Sequence, residues 1–374
     1  MFLNRLEIQK FRNLAPALYE PRPHRNYIFG DNAQGKTNLI EAIYLLCLAK
    51  SFRTREDSDL VPFSDESYFI EGDFLSDEQI PHHVGIMFDV QQGKQIKVDG
   101  KKLGQFSKLV GLFPVIVLSV NDYEITSGPP AQRRRFFNVL LSQSSRRYLD
   151  DLKQYDQVLK QRNTILAGAA NDSMLGVWDD QLVQSGVRLM MARSNMVEEL
   201  NHYLADFYAA ITGARWTFRI AYSPNVGFRS PDEAEGHFKA GMRRASLKEK
   251  RQGRTLVGPH RDEFLFYISD NELRKFGSRG EHKSALVSLK AAEARVLYKR
   301  TENHPMLLLD DLYAELDKQR SQRVLDLFDP ASQIFVTGTS LDAEMIESSA
   351  HLKEQMIFEN GQMKRGKWDV HPGI

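Results

Sequence analysis

Hydrophobic and polar residues alternate through much of the first third of the chain. The alternation covers residues 2–11, 68–74, 82–90 and 95–103. Successive side chains of a strand point to opposite faces of a sheet, so this pattern predicts half-buried antiparallel strands, with turns at "QQGK" and "DGKK". An uninterrupted apolar run at 112–119 predicts a strand buried on both faces.

Beyond about residue 130 the apolar residues recur at spacings of three and four. Two long helices are predicted over 132–166 and 178–211, joined by a turn at 167–176. Strand patterns return at 253–270, 306–311 and 332–340, and a helix is predicted over 282–300. This order predicts an α/β protein with an inserted, mainly helical second lobe. Lobe I would comprise residues 1–125 and 300–374, and lobe II residues 126–299.

A glycine-rich segment, "FGDNAQGKTN" at residues 29–38, separates a predicted strand from a predicted helix. The spacing of Gly30, Gly35, Lys36 and Thr37 in this context is that of a phosphate-binding loop rather than of a plain glycine turn. Backbone N–H groups would hold phosphates, Lys36 would reach the β- and γ-phosphates of ATP, and the Thr37 hydroxyl would bind Mg²⁺. The predicted nucleotide-binding residues here are Gly30, Asp31, Asn32, Ala33, Gln34, Gly35, Lys36, Thr37 and Asn38.

A second part of the same site is predicted where the apolar strand "MLLL" ends in two carboxylates, Asp310 and Asp311. The carboxyl ends of buried parallel strands face the crevice in which phosphates bind. One carboxylate can then hold Mg²⁺ through water while its neighbour polarises the attacking water. We assign Asp310 to the metal and Asp311 to the water, with Lys36 as the second catalytic residue. A solvated acidic turn is the alternative for such a run taken alone.

Composition and charge indicate the cellular compartment but do not identify a binding partner. Net charge is only +1, from 50 basic and 49 acidic residues, so any nucleic-acid contact must depend on local clusters. The single cysteine, Cys47, excludes an internal disulfide, suits the cytoplasm and is expected to be a core thiol. The first ten residues alternate like a strand rather than a signal peptide, and a membrane span is not expected.

"FGSRGEHK", at residues 276–283, places Ser278 and Gly280 directly before a predicted helix. A helix N-terminus can bind an anion, and a second γ-phosphate cradle would be useful if it closed over the nucleotide of another subunit. A Ser/Gly helix cap is the equally weighted alternative.

With these segments in place, the sequence resembles the RecF family of bacterial DNA-repair ATPases, itself similar to ABC-type and SMC-type ATPase heads. The resemblance covers nearly the whole chain. It is carried by "LEIQKFRNL", "GDNAQGKTNLIEAIYLL", "GPPAQRRRFFN", "YLDDLKQYDQVLKQRN", "WDDQLVQSG", "TLVGPHRDEF", "GSRGEHKSALVSLKAAE" and "MLLLDDLYAELD". Its implied fold is an ABC/SMC-like P-loop head with a mixed sheet around the P-loop helix.

The resemblance also implies roles for single residues. Ser278 would touch the γ-phosphate held by a second copy, Asp317 would belong to the loop after the carboxylate strand, and Thr339 would stand where transporter ATPases carry a switch histidine. Two positions depart from the family pattern. Ala33 replaces a glycine, which is harmless if its φ is negative, and Arg279 with Glu281 stand where glutamine is usual.

By the same resemblance, the chain would be a weak ATPase of recombinational repair and replication restart. It would form a homodimer on ATP at gapped DNA, help to load a recombinase, and bind the mediator RecR. Double-stranded DNA and single-/double-strand junctions would be bound without sequence readout.

Two basic clusters are candidates for that DNA contact. One lies at residues 133–147, from which Arg133 is the predicted contact. The other, at 239–254, has seven basic residues against one glutamate. Such density suits phosphate contacts, although a solvated helix face is the common alternative. The predicted contacts of the second cluster are Arg243, Arg244, Lys248 and Lys250.

Two other functions remain open from the sequence. A transporter ATPase subunit would dock its helical lobe on a membrane partner, but "FVTGTS" lacks the switch histidine. An SMC-like ATPase of another DNA-processing system would usually carry an added nuclease domain, for which this chain has no spare region.

Overall fold

The computed structural model describes residues 1–168, 172–213, 216–311, 326–339, 355–359 and 361–366. The chain forms two compact units, one of residues 1–121 with 297–374 and one of residues 122–296. We call them unit 1 and unit 2. None of the helices in the described ranges is long and apolar enough to cross a membrane.

Unit 1 begins with most of its strands and one long helix. They are β1 (Phe2–Gln9), β2 (Ala17–Tyr19), β3 (Arg25–Phe29), α1 (Lys36–Leu48), β4 (Ser67–Leu75), β5 (Pro81–Asp89), β6 (Gly93–Val98), β7 (Lys101–Lys102) and β8 (Val115–Leu118).

Unit 2 is mainly helical. Its elements are α2 (Tyr123–Ser127), α3 (Pro130–Ser144), α4 (Arg146–Ala167), α5 (Asp172–Thr212), β9 (Phe218–Ser223), α6 (Pro231–Gln252), β10 (Glu263–Ile268), β11 (Asn271–Glu272), α7 (Leu273–Phe276) and α8 (Arg279–Thr301), whose last residues belong to unit 1. The chain then returns to unit 1 with β12 (Met306–Leu309), β13 (Ile334–Gly338), β14 (Gln355–Glu359) and β15 (Gln362–Gly366).

Two sheets build unit 1. One is antiparallel, in the order β2-β1-β4-β5-β6-β7, as the alternating patterns predict. The other has the order β15-β14-β3-β13-β12-β8 and is parallel from β14 to β8, with β15 antiparallel at its edge. Parallel strands end at a common edge, so the loops after β3, β13 and β12 open on the same side of this sheet.

Continuous apolar sequences explain why the parallel strands are buried. Every residue of β8 and β12 is buried, as is expected of strands covered on both faces. Helix α1 follows β3 and contacts strands of both sheets. It is buried almost all round, and Cys47 is fully buried, so the expected core thiol is confirmed and burial raises its pKa.

Three helices, not two, fill the region from 130 to 212. The predicted helix over 132–166 is interrupted at Ser145, whose extended backbone (φ −153°) ends α3. The Ser145 side chain then caps α4 by accepting a hydrogen bond from the N–H of Tyr148 at 3.2 Å. Serine is a preferred N-cap residue, so the break has a local sequence cause.

The strand prediction over 253–270 is right only for its second half. Residues 263–268 form β10, but a short 3₁₀ turn, Pro259–Arg261, precedes it. Strands β9, β14 and β15 carry no clear alternation and were not predicted. The turn expected at 167–176 is longer than the connection in the structure, because α4 extends to Ala167 and α5 already begins at Asp172. Residues 169–171 between them lie outside the described residues.

Candidate active site

Two glycines allow the loop between β3 and α1 to close tightly. Gly30 has φ +152° and Gly35 has φ +114°, values that side chains disfavour. A Cβ added at Gly30 would lie 2.6 Å from the carbonyl oxygen of Phe358, and one at Gly35 would lie 2.6 Å from Cδ2 of Leu14. The backbone of β14 therefore leaves room only for glycine at position 30, whereas at position 35 it is the positive φ that favours glycine.

Ala33 departs from what the sequence predicts. Its substitution for glycine is harmless only if φ is negative, but φ is +64° here. An alanine in the left-handed region costs roughly 1–2 kcal/mol relative to the right-handed region, because its Cβ crowds the following carbonyl. Ala33 is thus a strained residue in the loop, and its side chain is exposed.

Lys36 is almost completely buried, with 5% of its surface exposed. Its Nζ donates hydrogen bonds to the carbonyl oxygens of Gly30 (2.7 Å) and Asp31 (2.9 Å). The ammonium therefore lies across the mouth of the loop, where N–H groups of the first turn of α1 also point out of the helix. This arrangement places the positive charge of Lys36 beside the N–H donors at the start of α1.

A network that sequence reasoning missed braces the loop. Glu41 is fully buried and accepts two hydrogen bonds from Arg12, both at 2.9 Å, and one from Arg53 at 3.1 Å. Arg53 also donates to Oδ1 of Asn38 at 2.6 Å, and Asn38 donates to Asn13 at 2.6 Å. A charged residue on the otherwise apolar run of α1 was the available signal, because a buried carboxylate requires partners.

The two predicted halves of the metal site meet. The Thr37 hydroxyl donates to Oδ1 of Asp310 at 3.0 Å, although 273 residues separate them. A second hydroxyl, that of Thr337 on β13, donates to the same oxygen at 2.8 Å. Thr337 also accepts a hydrogen bond from the N–H of Asp311 at 2.9 Å. Thr337 is not among the site residues predicted from the sequence.

Asp311 has two unusual features. Its backbone is in the left-handed region, with φ +52°. Its Oδ1 is buried and has no hydrogen-bond partner among the described residues. Strained backbones and unpaired buried oxygens cost free energy and are concentrated at functional sites. An Asp311 oxygen directed at a bound water would satisfy the missing hydrogen bond.

Burial raises the pKa of Asp310 above its ordinary value, by more than the hydrogen bonds from Thr337 and Thr37 lower it. The neighbouring Asp311 raises it further, and the positive charge of Arg53 opposes the rise. A cation beside this carboxylate would relieve that penalty. Hydroxyl and carboxylate oxygens are the ligands that Mg²⁺ prefers, so Thr37 and Asp310 fit a magnesium site.

In unit 2, Ser278 precedes the first residue of α8 and forms a capping box with Glu281. The N–H and the hydroxyl of Ser278 both donate to Oε2 of Glu281 at 2.8 Å, and the N–H of Glu281 donates back to the Ser278 hydroxyl at 3.3 Å. Gly280 lies in the first turn of α8. The structure thus has the helix cap that the sequence left open, and the anion-binding role of Ser278 stays a prediction.

Two further predicted residues cannot be added to this site. Asp317 lies outside the described residues. Thr339 follows the last residue of β13 and is exposed, two positions beyond the buried Thr337.

The prediction of DNA contact by Arg133 is wrong. Only 2% of Arg133 is exposed, and its guanidinium forms two hydrogen bonds with Glu263, at 2.8 and 3.0 Å. It also donates to the carbonyl oxygen of Gly128 at 2.9 Å. Arg133 therefore ties α3 to β10 inside unit 2, because a buried arginine needs an acid and acceptors nearby.

The second basic cluster lies on α6 and faces solvent. Arg243, Arg244, Lys248 and Lys250 are all exposed. At 100° per residue they span an arc of about 160° on the helix. The single acid of the cluster, Glu249, is fully buried on the opposite face, where Arg162 of α4 donates to it at 2.7 Å. The outward face of α6 is consequently basic without a compensating carboxylate from the cluster.

Comparisons with known proteins agree with this geometry. The family model "RecF/RecN/SMC N terminal domain" matches residues 2–364. A protein of Salinibacter ruber called DNA replication and repair protein RecF is 35% identical over 351 residues, covering 91% of this chain and 85% of the relative. A protein of the same name from Prosthecochloris aestuarii is 34% identical over 371 residues, covering 96% and 99%.

Solved structures give the same picture of the fold. A structure described as the recombination mediator protein RecF-ATP in the RecFOR pathway superposes with a TM-score of 0.89 and 29% identity, over 97% of both chains. An Smc head bound to the C-terminal winged-helix domain of ScpA has a TM-score of 0.58 at 14% identity, over 99% of this chain and 98% of that one, and shows likeness of fold alone. The predicted ABC/SMC-like head with its inserted helical lobe is confirmed.

Proposed function

This chain belongs to the RecF family of DNA replication and repair proteins, and we propose that it is a slow, Mg²⁺-dependent ATPase that dimerises on ATP at gapped DNA. In this role it acts in recombinational repair and replication restart, and helps to load a recombinase. It binds double-stranded DNA and single-/double-strand junctions through their backbones, partners with RecR and works in the cytoplasm. ATP is the ligand named in the solved structures that it resembles.

The proposal depends mainly on one observation: the predicted phosphate loop contacts the carboxylates that follow β12. Lys36 lies buried against the carbonyl oxygens of the loop at the start of α1, Thr37 bonds to Asp310, and Asp311 has an oxygen with no partner among the described residues. When bound, Mg²⁺ would neutralise charge that develops on the β- and γ-phosphates.

The chain's own residues would divide the chemistry as follows. Lys36 leaves the carbonyl oxygens of the loop and binds the β- and γ-phosphates. Thr37 would offer a lone pair to the metal, while its hydroxyl proton would stay on its own oxygen and remain hydrogen-bonded to Asp310. Asp311 accepts a hydrogen bond from the attacking water through Oδ1, which has no other partner among the described residues. Ser278 of a second copy binds the γ-phosphate from the other side.

A transporter ATPase subunit is the less favoured alternative. This chain matches 85% and 99% of the length of two relatives called DNA replication and repair protein RecF. That similarity favours the DNA function over docking to a membrane partner. Co-purification with DNA rather than with membranes would separate the two functions.

The test compares the wild type with Lys36→Arg and Asp311→Asn, measuring ATP binding, phosphate release and binding to a labelled gapped duplex. Lys36→Arg should lose hydrolysis because a planar guanidinium cannot replace the compact ammonium in the loop. Asp311→Asn should bind Mg²⁺-ATP but release phosphate about 100-fold more slowly or worse, as loss of a group that handles the water's proton predicts.

Asp311→Asn removes the negative charge without disturbing the backbone, because asparagine tolerates positive φ. The ATP-bound form of this variant should accumulate and hold gapped DNA longer than the wild type does. Wild-type turnover in Lys36→Arg would rule out the site. Gapped-DNA affinity that is the same with ATP, ADP and no nucleotide would rule out coupling to DNA.

A further inference from the structure

We infer that Thr337 is a positioning residue of the ATPase site, which holds both acidic residues after β12 through a single hydroxyl. The inference builds on the ATPase activity proposed above and concerns a residue for which no role is predicted from the sequence. Its basis is the pair of hydrogen bonds that the Thr337 hydroxyl makes, one to the Asp310 carboxylate and one from the Asp311 backbone.

The sheet brings Thr337 to this place. Strand β13 lies between β3, which leads into the phosphate loop, and β12, which leads into the carboxylates. In the register, Thr337 is opposite Ile28 of β3, and the preceding Val336 is opposite Leu309 of β12. The side chain of Thr337 thus lies one position beyond the last paired residue of β12, beside Asp310.

Hydrogen-bond counting shows that the hydroxyl uses its only proton and one of its two lone pairs. A threonine hydroxyl has one proton and two lone pairs. Its proton goes to Oδ1 of Asp310 at 2.8 Å, and one lone pair receives the N–H of Asp311 at 2.9 Å. Because Thr337 is completely buried, water cannot substitute for either bond.

Each of the two bonds has a distinct consequence. The first, together with the bond from Thr37 to the same oxygen, fixes the rotamer of Asp310, so the carboxylate is oriented before a cation binds. The second satisfies the N–H of a residue whose backbone is strained at φ +52°. Holding that backbone keeps the Asp311 side chain where its Oδ1 has no partner among the described residues. Thr337 itself reaches neither phosphate nor water in this arrangement; it acts through its two neighbours.

The experiment compares Thr337→Val, which keeps the branched shape and removes the hydroxyl, with Thr337→Ser, which keeps the hydroxyl. Thr301→Val is the matched control, because its hydroxyl bonds only within the end of α8 and the turn that follows. Each variant is assayed for ATP binding in EDTA, for the Mg²⁺ concentration that half-saturates ATP binding, for kcat and KM of hydrolysis, and for its thermal midpoint.

In Thr337→Val, kcat should fall and the Mg²⁺ midpoint should rise, each by about tenfold or more, as is usual when a residue that orients a metal ligand is lost. ATP binding in EDTA should change less than twofold, since the phosphate loop is untouched. Thr337→Ser should recover most of both losses, and Thr301→Val should resemble the wild type.

Two results would overturn the inference. One is a Thr337→Val protein with kcat and Mg²⁺ midpoint within twofold of the wild type. The other is Thr337→Ser as defective as Thr337→Val, which would assign the position to packing alone. If Thr337→Val does not fold, the serine variant still decides, because serine must keep the wild-type Mg²⁺ midpoint. A wild type that fails to bind ATP would instead refute the proposed function and is recognised by the same EDTA titration.

Discussion

At the scale of single residues, the sequence predicts which chemical groups form the site but not the backbone that carries them. The spacing of Gly30, Gly35 and Lys36 is sufficient to identify the loop, because the chemistry of phosphate binding fixes it. The positive φ of Ala33 and Asp311 has no signature in the local sequence, and the hydrogen bonds that these residues make come from distant parts of the chain. Thr337 was missed for a related reason, since its partners depend on the register between β12 and β13.

Ala33 offers a test of that strain. Ala33→Gly removes the Cβ from a left-handed residue, and the gain outweighs the added flexibility of the unfolded chain. We expect the free energy of unfolding to rise by about 0.5–1 kcal/mol, measured by urea titration of the nucleotide-free protein. Ala33→Val should lower it, because a β-branched residue is a poorer fit to φ +64°.

The matched control is Ala49→Gly, at a second alanine in the left-handed region with φ +56°, at the C-terminal end of α1. It should leave ATP affinity unchanged, whereas Ala33→Gly changes the loop that binds phosphate. A less stable Ala33→Gly protein would show that the left-handed conformation at this position is not strained.

At the scale of elements, long periodic segments were predictable and short or edge elements were not. Helix α5 and the core of α8 follow their apolar periodicity. The break between α3 and α4 was missed although Ser145 is a good capping residue, because the periodic pattern continues across it. Strands β9 and β14 are specified by pairing with β10 and β3, far away in the chain, rather than by their own alternation, and β15 is the hairpin partner of β14.

The basic face of α6 can be tested as a unit. Replacing Arg243, Arg244, Lys248 and Lys250 with alanine should weaken binding to all DNA sequences to a similar degree. The dependence of log K on log salt should flatten by about 0.9 for each duplex phosphate contact that is lost. Helix α6 should stay folded, because its attachment through Glu249 and Arg162 lies on the other face.

The control removes the same positive charge from exposed lysines elsewhere: Lys101, Lys102, Lys108 and Lys160. It should lower affinity only through net charge and keep the wild-type salt slope. Equal slopes in the two variants would assign the α6 cluster to a solvated helix face.

At the scale of the whole molecule, one chain contains two groups of N–H donors for which anion binding is predicted. One is the phosphate loop of unit 1, and the other is the start of α8 in unit 2. In head-to-tail dimers of ABC-type heads, which the sequence resembles, both groups bind one γ-phosphate, and a two-fold axis makes two equivalent sites. The sequence could suggest this pairing, but it did not predict that Glu281 occupies the donors of Ser278.

We therefore expect a monomer without nucleotide or with ADP and a dimer with ATP, as light scattering would show. ADP lacks the γ-phosphate that connects the two copies, so hydrolysis loosens the interface. Ser278→Arg should abolish ATP-dependent dimers and spare ATP binding to the monomer. Its thermal midpoint, compared with that of the wild type, shows whether loss of the cap has unfolded α8.

Glu281→Gln gives this prediction its sharpest form. The wild-type carboxylate accepts the N–H and the hydroxyl of Ser278, the same donors that a γ-phosphate would need. A neutral amide can still close the capping box but competes less well with phosphate for those donors, because charge-assisted hydrogen bonds are about twice as strong as neutral ones. Half-maximal dimerisation of Glu281→Gln should therefore require several-fold less ATP than that of the wild type. Dimers that form equally with ATP, ADP and no nucleotide in all three proteins would refute nucleotide-driven closure, and an unshifted ATP midpoint in Glu281→Gln would refute the competition at Ser278 alone.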